Sequence, residues 1–212
     1  MWFHDPAAPV PGGLTTEEFV LRPIRADDAA LDHAALMETR VDLRRWEQSN
    51  WPADDFTVEA NREDLAGLER RHAERRAFTY TVFDPGDAEC LGCVYVFPIS
   101  ATFLARSTVL PLGDRVWADV DAVVYFWVRR SRAELGMDER LLAALRTWFT
   151  TAWGFESTVY VTNEQFRHQV ELLGRTDLVV QFELREPDKP AVYLVFGDGS
   201  SADRRERAAA TP

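Results

Sequence analysis

The segment of residues 119–161 constrains the fold of this chain more than any other part of the sequence. Residues 119–128 form a nearly continuous apolar run, which predicts a central strand buried on both faces. Apolar side chains then recur at helical spacing over residues 141–149, and residues 158–161 predict a second buried strand. A strand, a helix and a strand in this order predict a right-handed parallel crossover.

The rest of the chain supplies further strands and helices. Period-two patterns predict strands at 19–24, 78–83, 90–97, 178–184 and 192–196. Helical spacing predicts helices at 29–38, 41–48, 57–75 and 163–173, with Asp27 or Asp28 capping the first. We therefore expect an α+β (α/β-like) fold: a mixed, mostly antiparallel central sheet of about 6–7 strands flanked by helices, with one parallel β-α-β crossover.

The length of 212 residues corresponds to one domain, since domains usually span about 100–200 residues. Three prolines and two adjacent glycines predict that residues 1–17 form an extended N-terminal arm. Residues 18–197 are the predicted domain. The polar, arginine-rich residues 198–212 predict a disordered tail.

The charge balance of 24 basic and 35 acidic residues argues against nucleic-acid binding, which usually requires a basic surface. A net charge of −11 attracts cationic small molecules, although it serves solubility equally well. No apolar run reaches the length of about 20 residues that crosses a membrane, and the N-terminus does not look like a secretory signal. We therefore expect a cytoplasmic protein without a membrane partner.

The two cysteines, Cys90 and Cys93, form a C-x-x-C pattern that invites a redox or zinc interpretation. A second ligand pair for zinc is missing, and the pattern lies in a predicted strand rather than at a helix start. The four histidines show no metal-binding spacing. We expect two buried small side chains on opposite strand faces, and no metal site.

The segment of residues 125–149 resembles the pyrophosphate-binding segment of the GNAT superfamily of acetyl-CoA-dependent N-acetyltransferases. The family pattern is a strand, then [Q/R]-G-x-G-x-[G/A], then a helix, and it falls on residues 133–138 with only Gly136 matching. Glu134 and Asp138 place negative charge where phosphates would lie, while Arg129, Arg130 and Arg132 supply compensating positive charge. The alternative is structural, because Ser131 and Glu134 have the spacing of a capping box.

A second segment, residues 163–174, resembles the family pattern N-x-x-[A/S]-x-x-x-Y-x-x-x-G. Asn163 and Gly174 match, whereas Val170 occupies the tyrosine position. In the family this tyrosine is the usual general acid, and valine cannot donate a proton. Asn163 also suits a plain helix N-cap, so both interpretations of it stay open.

The resemblance implies acetyl-CoA as cosubstrate and transfer of the acetyl group to a primary amine of a small molecule or peptide. It implies that backbone groups around Val128 bind the pantetheine arm and that Asn163 belongs to the cofactor site. The residues expected to hold the pyrophosphate are Arg129, Arg130, Ser131, Arg132 and Gly136. Asp121 is the candidate base, because it lies in the strand that precedes the first segment, although a solvated strand-entry residue is the alternative.

Aromatic residues provide the candidate substrate site. Trp46 and Trp51 flank a break after the second predicted helix, and Tyr125 shares the strand face of Asp121. Aromatic faces attract cations, so these side chains are candidates for an amine-binding wall. Ordinary packing of a helix against the sheet explains the tryptophans as well.

Two other functions remain open at this stage. The poor match at residues 133–138 and Val170 favour a protein that binds CoA or an acyl-CoA with little catalysis. The capping-box spacing favours a protein of this fold that has no CoA site and instead binds a partner or another small molecule. Dimers are common in the family, so a homodimer is also an expectation.

Overall fold

A computed structural model describes residues 3–4 and 7–199. The strands are β1 (Leu14–Thr15), β2 (Val20–Pro23), β3 (Phe78–Phe83), β4 (Cys90–Phe97), β5 (Thr108–Pro111), β6 (Ala122–Val128), β7 (Thr158–Asn163), β8 (Leu178–Arg185) and β9 (Tyr193–Asp198). The helices are α1 (Ala29–Glu47), α2 (Val58–Ala73), α3 (Thr102–Arg106), α4 (Arg130–Ala133), α5 (Met137–Trp148) and α6 (Arg167–Gly174).

One mixed sheet organises the described residues, with the strand order β1-β2-β3-β4-β6-β7-β9-β8-β5. The pair β6–β7 is parallel and every other neighbouring pair is antiparallel, which confirms the predicted α+β class and its single β-α-β crossover. The sheet has nine strands rather than 6–7. The two additional strands, β1 and β5, are edge strands of two and four residues, too short to show a period of two.

Both faces of the sheet carry a hydrophobic core, and β6 contributes to each. On one face of β6, Val124 and Phe126 pack with α5. On the other face, Val123, Tyr125 and Trp127 pack with α1. All seven residues of β6 are buried, which explains the continuous apolar run in the sequence. The predicted strand starts later than expected, because residues 117–119 form a 3₁₀ turn.

Helix α1 corrects the prediction of two helices at 29–38 and 41–48. It is continuous over 19 residues, because nothing between Glu38 and Val41 breaks the helix and Leu36, Leu43 and Trp46 all face the sheet. It ends at Glu47, and the next residue, Gln48, caps it in a left-handed conformation with φ of 54°. The predicted cap Asp28 makes no side-chain capping bond, because it forms an ion pair with Arg22 at 2.7 Å.

The N-terminal arm packs against the domain where it is described. The Tyr80 hydroxyl donates a hydrogen bond to the Pro11 carbonyl at 2.7 Å, and the ring of Phe3 lies 5.5 Å from that of Phe78. Strand β1 lies at residues 14–15 and pairs with β2, so the sheet begins inside the predicted arm of residues 1–17. Most of the predicted tail, residues 200–212, lies outside the described residues.

Cys90 and Cys93 are free and buried, and they lie on one face instead of two. The pairing of β3 with β4 shifts register between Val82 and Phe83, so a β-bulge breaks the alternation between the two cysteines. Cys90 Sγ lies 3.7 Å from the carboxylate of Asp32 on α1.

Candidate active site

A cavity of about 450 Å³ lies between α1, α2, the strands β4 and β6, and the segment that joins β8 to β9. Seven aromatic side chains line it: Trp46, Trp51, Tyr95, Phe97, Phe103, Tyr125 and Tyr193. The three side chains that the sequence analysis named for substrate binding, Trp46, Trp51 and Tyr125, therefore line the same space. A volume of this size is typical of sites for small molecules.

The polar lining of the cavity is mostly acidic. Among the described residues, its charged side chains are the carboxylates of Asp32, Glu47, Asp64 and Glu186 and one basic side chain, Arg71. Glu47 forms an ion pair with Lys189 at 3.0 Å. Within the described part of the chain, neither Asp32 nor Glu186 forms an ion pair.

Two buried donor groups in this wall have no hydrogen-bond partner among residues 3–4 and 7–199. They are the Tyr125 hydroxyl and the Trp46 indole Nε1. Both side chains are buried, with exposed fractions of 7% and 6%. Burial raises the pKa of Tyr125 well above its ordinary value, so the phenol stays protonated and able to donate. Buried polar groups are rarely left unpaired, so these two atoms are candidates for hydrogen bonds to a bound molecule.

Asp32 is the most deeply buried acid of the cavity. Burial raises its pKa to about 6, although hydrogen bonds from Asn61 and Cys90 oppose the rise. Asn61 Nδ2 donates to its carboxylate at 2.9 Å.

Glu186 is partly buried and lies in the segment between β8 and β9. Burial raises the pKa of Glu186, the negative charge of Glu47 raises it further, and Lys189 opposes this rise. Its charge in turn raises the pKa of both Tyr125 and Tyr193, so the three groups interact electrostatically. A carboxylate with a raised pKa is a better proton acceptor than an ordinary one.

The sheet splits beside this cavity. Strands β6 and β7 pair only from Ala122 and Thr158 to Val124 and Tyr160. Beyond that point β6 stays paired with β4 as far as Val128, and β7 stays paired with β9 as far as Asn163. Tyr125 is the first residue of β6 past the split, and its ring lies 6.4 Å from that of Tyr193 on β9.

The split between the strands is nearly filled by the chain itself. A space of about 20 Å³ remains between Phe126, Trp127 and Val128 on one side and Phe166, His168 and Gln169 on the other. Gln169 Nε2 donates to the carbonyl of Phe126 at 2.8 Å, and Gln169 Oε1 has no partner in the described chain. Asn163 Nδ2 is likewise buried and unpartnered there. Asn163 does not cap α6, because its Oδ1 accepts the backbone N–H of Gln165 at 2.7 Å.

The arginines after β6 are held by carboxylates from other elements. Arg129 pairs with Glu38 of α1 at 2.6 Å and with Glu89 at 2.8 Å, and Arg132 also pairs with Glu89. The backbone N–H of Ser131 donates to Glu38 at 3.0 Å. Burial alone raises the pKa of Glu38, but its bonds with Ser131 and Arg129 outweigh this and keep the pKa below its ordinary value.

The capping box suggested by Ser131 and Glu134 does not form. The residue before α4 makes no side-chain capping bond, and Glu134 instead lies 3.4 Å from Arg130. Gly136, with φ of 72°, separates α4 from α5. The first turn of α5 then holds the carboxylate of Asp138, which accepts the N–H of Glu139 at 3.0 Å and contacts His168 Nε2 at 2.5 Å. The start of α4 therefore holds the carboxylate of Glu38, and the start of α5 holds that of Asp138.

The structure does not bring Asp121 to the cavity. It is exposed and precedes β6, where its carboxylate accepts the backbone N–H groups of Glu156 at 2.8 Å and Ser157 at 2.9 Å. It shares a strand face with Tyr125, but four residue steps along the chain separate them by about 13 Å. The period of two in a strand predicts that Asp121 and Tyr125 share a face of the sheet, but it does not predict that their side chains reach the same site.

Several residues of the cavity were missed from the sequence. Asp32 carried a signal, because it falls on the buried face of α1 with Ala29 and Leu36. Glu186 carried none, because it lies in an irregular segment and reaches the cavity only through the fold.

Comparison with known proteins establishes the fold. No protein-family model matches the sequence, and no curated protein matches it. Ribosomal-protein-S5-alanine acetyltransferase of Vibrio fischeri superposes with a TM-score of 0.64 at 16% identity, over 89% of this chain and 97% of that one. RimL, a ribosomal alpha-N-protein acetyltransferase in complex with coenzyme A, gives 0.64 at 14% identity, over 87% and 96%.

The microcin C7 self-immunity acetyltransferase MccE, in complex with acetyl-CoA and AMP, gives a TM-score of 0.65 at 10% identity, over 90% of this chain and 98% of that one. This chain has the GNAT fold. In the part of the GNAT-fold chain that the structure describes, no cluster of His, Cys, Asp or Glu could hold a metal ion. Likewise, no helix among those residues is both long and apolar enough to cross a membrane.

Proposed function

We propose that the protein is an acetyl-CoA-dependent N-acetyltransferase that modifies a small primary amine. One observation carries the proposal: the acidic, aromatic cavity lies at Tyr125, where β7 separates from β6. The fold supports it, since the similar structures of RimL and MccE are acetyltransferases that contain coenzyme A or acetyl-CoA. The cavity is then the acceptor site, and the split strand is the route of the cosubstrate.

The residues present fit the polar parts of coenzyme A on two grounds. The Glu38 carboxylate represents the diphosphate at this position, because the Ser131 N–H and Arg129 bind its oxygens. In the split, Gln169 Oε1 needs a donor and Asn163 Nδ2 needs an acceptor, and an amide group offers both. Glu38 is partly exposed, at 32%, so its side chain has solvent to move into when a diphosphate takes its donors.

In this arrangement Arg129, Arg130, Ser131 and Arg132 would hold the diphosphate, with Gly136 at the turn between α4 and α5. Backbone groups at Val128 and the side chain of Asn163 contact the pantetheine arm. When bound, acetyl-CoA supplies the acetyl group as an activated thioester.

Glu186 is the proposed proton acceptor for the amine. A primary amine enters protonated and has to lose a proton before its nitrogen is nucleophilic. Glu186 lies in the same cavity wall as Tyr125, and its raised pKa suits it to take this proton. The Tyr125 hydroxyl stays protonated and orients the bound molecule by donating a hydrogen bond. Asp121 has no role in this mechanism.

A calorimetric titration of acetyl-CoA into the protein tests the proposal. We expect a Kd in the micromolar range, and we expect Arg130→Ala and Arg132→Ala each to weaken binding at least threefold. Arg185→Ala is the matched control, because Arg185 is an exposed arginine on β8 whose one ion pair within the described residues is with Glu183 at 3.2 Å. No heat of binding at millimolar acetyl-CoA contradicts the proposal.

A second function is favoured by specific contacts: an amine-binding protein of the same fold that does not use CoA. Gln169 fills the split between the strands, and Asp138 with His168 fills the start of α5. Binding of amines without binding of acetyl-CoA would select this function.

A further inference from the structure

We propose that the cavity selects a compact organic cation: a primary amine on an apolar body that also carries an oxygen acceptor. The inference deepens the proposed function by naming the class of acceptor. It concerns binding alone, so it is tested without the transfer reaction.

The charges of the cavity select a cation. Of its four carboxylates, Glu47 is neutralised by Lys189 and Asp64 lies near the charge of Arg71. Asp32 and Glu186 form no ion pair in the described part of the chain, and the Lys189 charge that acts on Glu186 is already paired with Glu47. A buried carboxylate without a counterion is costly, and an ammonium group of a ligand removes that cost. An anion of the same size would add to the repulsion.

The aromatic walls select an apolar body. Trp46 contacts Tyr125 edge to face, with ring centroids 6.0 Å apart, and Tyr125 contacts Tyr193 in the same manner at 6.4 Å. All three rings line the cavity. Ring faces bind apolar groups and attract ammonium groups.

The two unpartnered donors select an oxygen acceptor. Indole nitrogen can only donate a hydrogen bond, so Trp46 Nε1 needs an acceptor. The Tyr125 hydroxyl has no partner either and is held protonated by burial. A hydroxyl, ether or carbonyl oxygen on the ligand satisfies these donors, and an amine without oxygen leaves them unpaired. At about 450 Å³ the cavity holds a small molecule of this kind.

Phenylethanolamine is a suitable probe, because it combines a phenyl ring, a hydroxyl oxygen and a primary amine. Its binding is followed by NMR or calorimetry in the absence of acetyl-CoA, beside phenethylamine without the oxygen, neutral phenylethanol and anionic mandelate. We expect phenylethanolamine to bind at least tenfold more tightly than mandelate and at least threefold more tightly than phenethylamine. Equal or tighter binding of mandelate overturns the inference, as does failure of every amine to bind.

Conservative variants test the assigned groups. Glu186→Gln should weaken binding of phenylethanolamine about tenfold and leave binding of phenylethanol unchanged, because only the amine is charged. Tyr125→Phe should abolish the preference for phenylethanolamine over phenethylamine. Glu183→Gln, on β8 and outside the cavity, is the control for loss of one negative charge. If folded Glu186→Gln binds the amine as wild type does, the cation site is refuted.

The two proposals fail separately. Amines that bind with this selectivity but are never acetylated refute the transferase and retain the cation site. Binding of acetyl-CoA without this selectivity among amines refutes the cation site and retains the transferase.

Discussion

Replacing Glu38 by glutamine removes the negative charge that occupies the donors proposed for the diphosphate. Its carboxylate oxygens lie 2.6 Å from Arg129 Nε and 3.0 Å from the backbone nitrogen of Ser131. A diphosphate bound by the same donors would lie about 5 Å from this charge, and two unit charges at that distance repel by about 3 kcal/mol at an effective dielectric of about 20. Partial exposure and salt reduce this repulsion to about 1–1.5 kcal/mol, so we expect Glu38→Gln to bind coenzyme A about tenfold more tightly.

The same substitution should make the free protein less stable. A partly exposed ion pair contributes up to about 1 kcal/mol, and its loss lowers Tm by about 2–4 °C in a chain of this size. Calorimetric titration with coenzyme A gives the affinity, and a thermal melt gives the stability. Tighter binding together with a lower Tm is specific to a carboxylate that competes with the ligand.

Glu183→Gln is the matched control, since it removes one negative charge from β8, which lies three strands from β6 in the sheet. It should leave the affinity for coenzyme A unchanged. If folded Glu38→Gln binds coenzyme A no more tightly than wild type, Glu38 does not stand in for the diphosphate and the assignment of this loop fails.

Three further predictions concern the acids. The pKa of Asp32 rises from 3.8 in the unfolded chain to about 6 in the folded one, so protonated Asp32 stabilises the fold below pH about 4, and this stability is lost as the pH rises through about 6. Between pH 4 and 7, the free energy of unfolding of the wild type, measured with denaturant, should fall by about 3 kcal/mol relative to that of Asp32→Asn. Parallel pH dependences of the two proteins would contradict this. Glu186→Gln should lower kcat for amine acetylation at least tenfold, and an unchanged kcat would exclude Glu186 as the base. Asp121→Asn should cost about 1–2 kcal/mol of stability, because its carboxylate accepts two backbone N–H groups, and a loss of kcat matching that of Glu186→Gln would restore Asp121 as the base.

The sequence predicts the parts of the fold that local patterns determine. The apolar run of β6 and the helical spacing of α5 identify the parallel crossover, because a doubly buried strand needs apolar side chains at every position. The edge strands β1 and β5 escape detection, because their positions depend on the sheet they join. The continuous α1 escapes detection because the apolar spacing, not a helix breaker, suggested two segments.

The candidate site divides in the same way. Trp46, Trp51 and Tyr125 can be chosen from the sequence as a possible amine wall, and the fold places them in one cavity. The pairing of Glu38 with Arg129 joins residues 91 positions apart, and no local pattern predicts such a contact. The sequence names Arg129 for the pyrophosphate and gives no indication of Glu38.

Acetyl transfer to phenylethanolamine tests the central claim most directly. The protein is incubated with acetyl-CoA and the amine, and mass spectrometry measures the N-acetyl product while a thiol reagent measures released coenzyme A. We predict equal amounts of product and thiol for wild type, and a loss of both in Glu186→Gln. Absence of product under conditions where acetyl-CoA and the amine both bind would contradict the claim that this chain is an N-acetyltransferase.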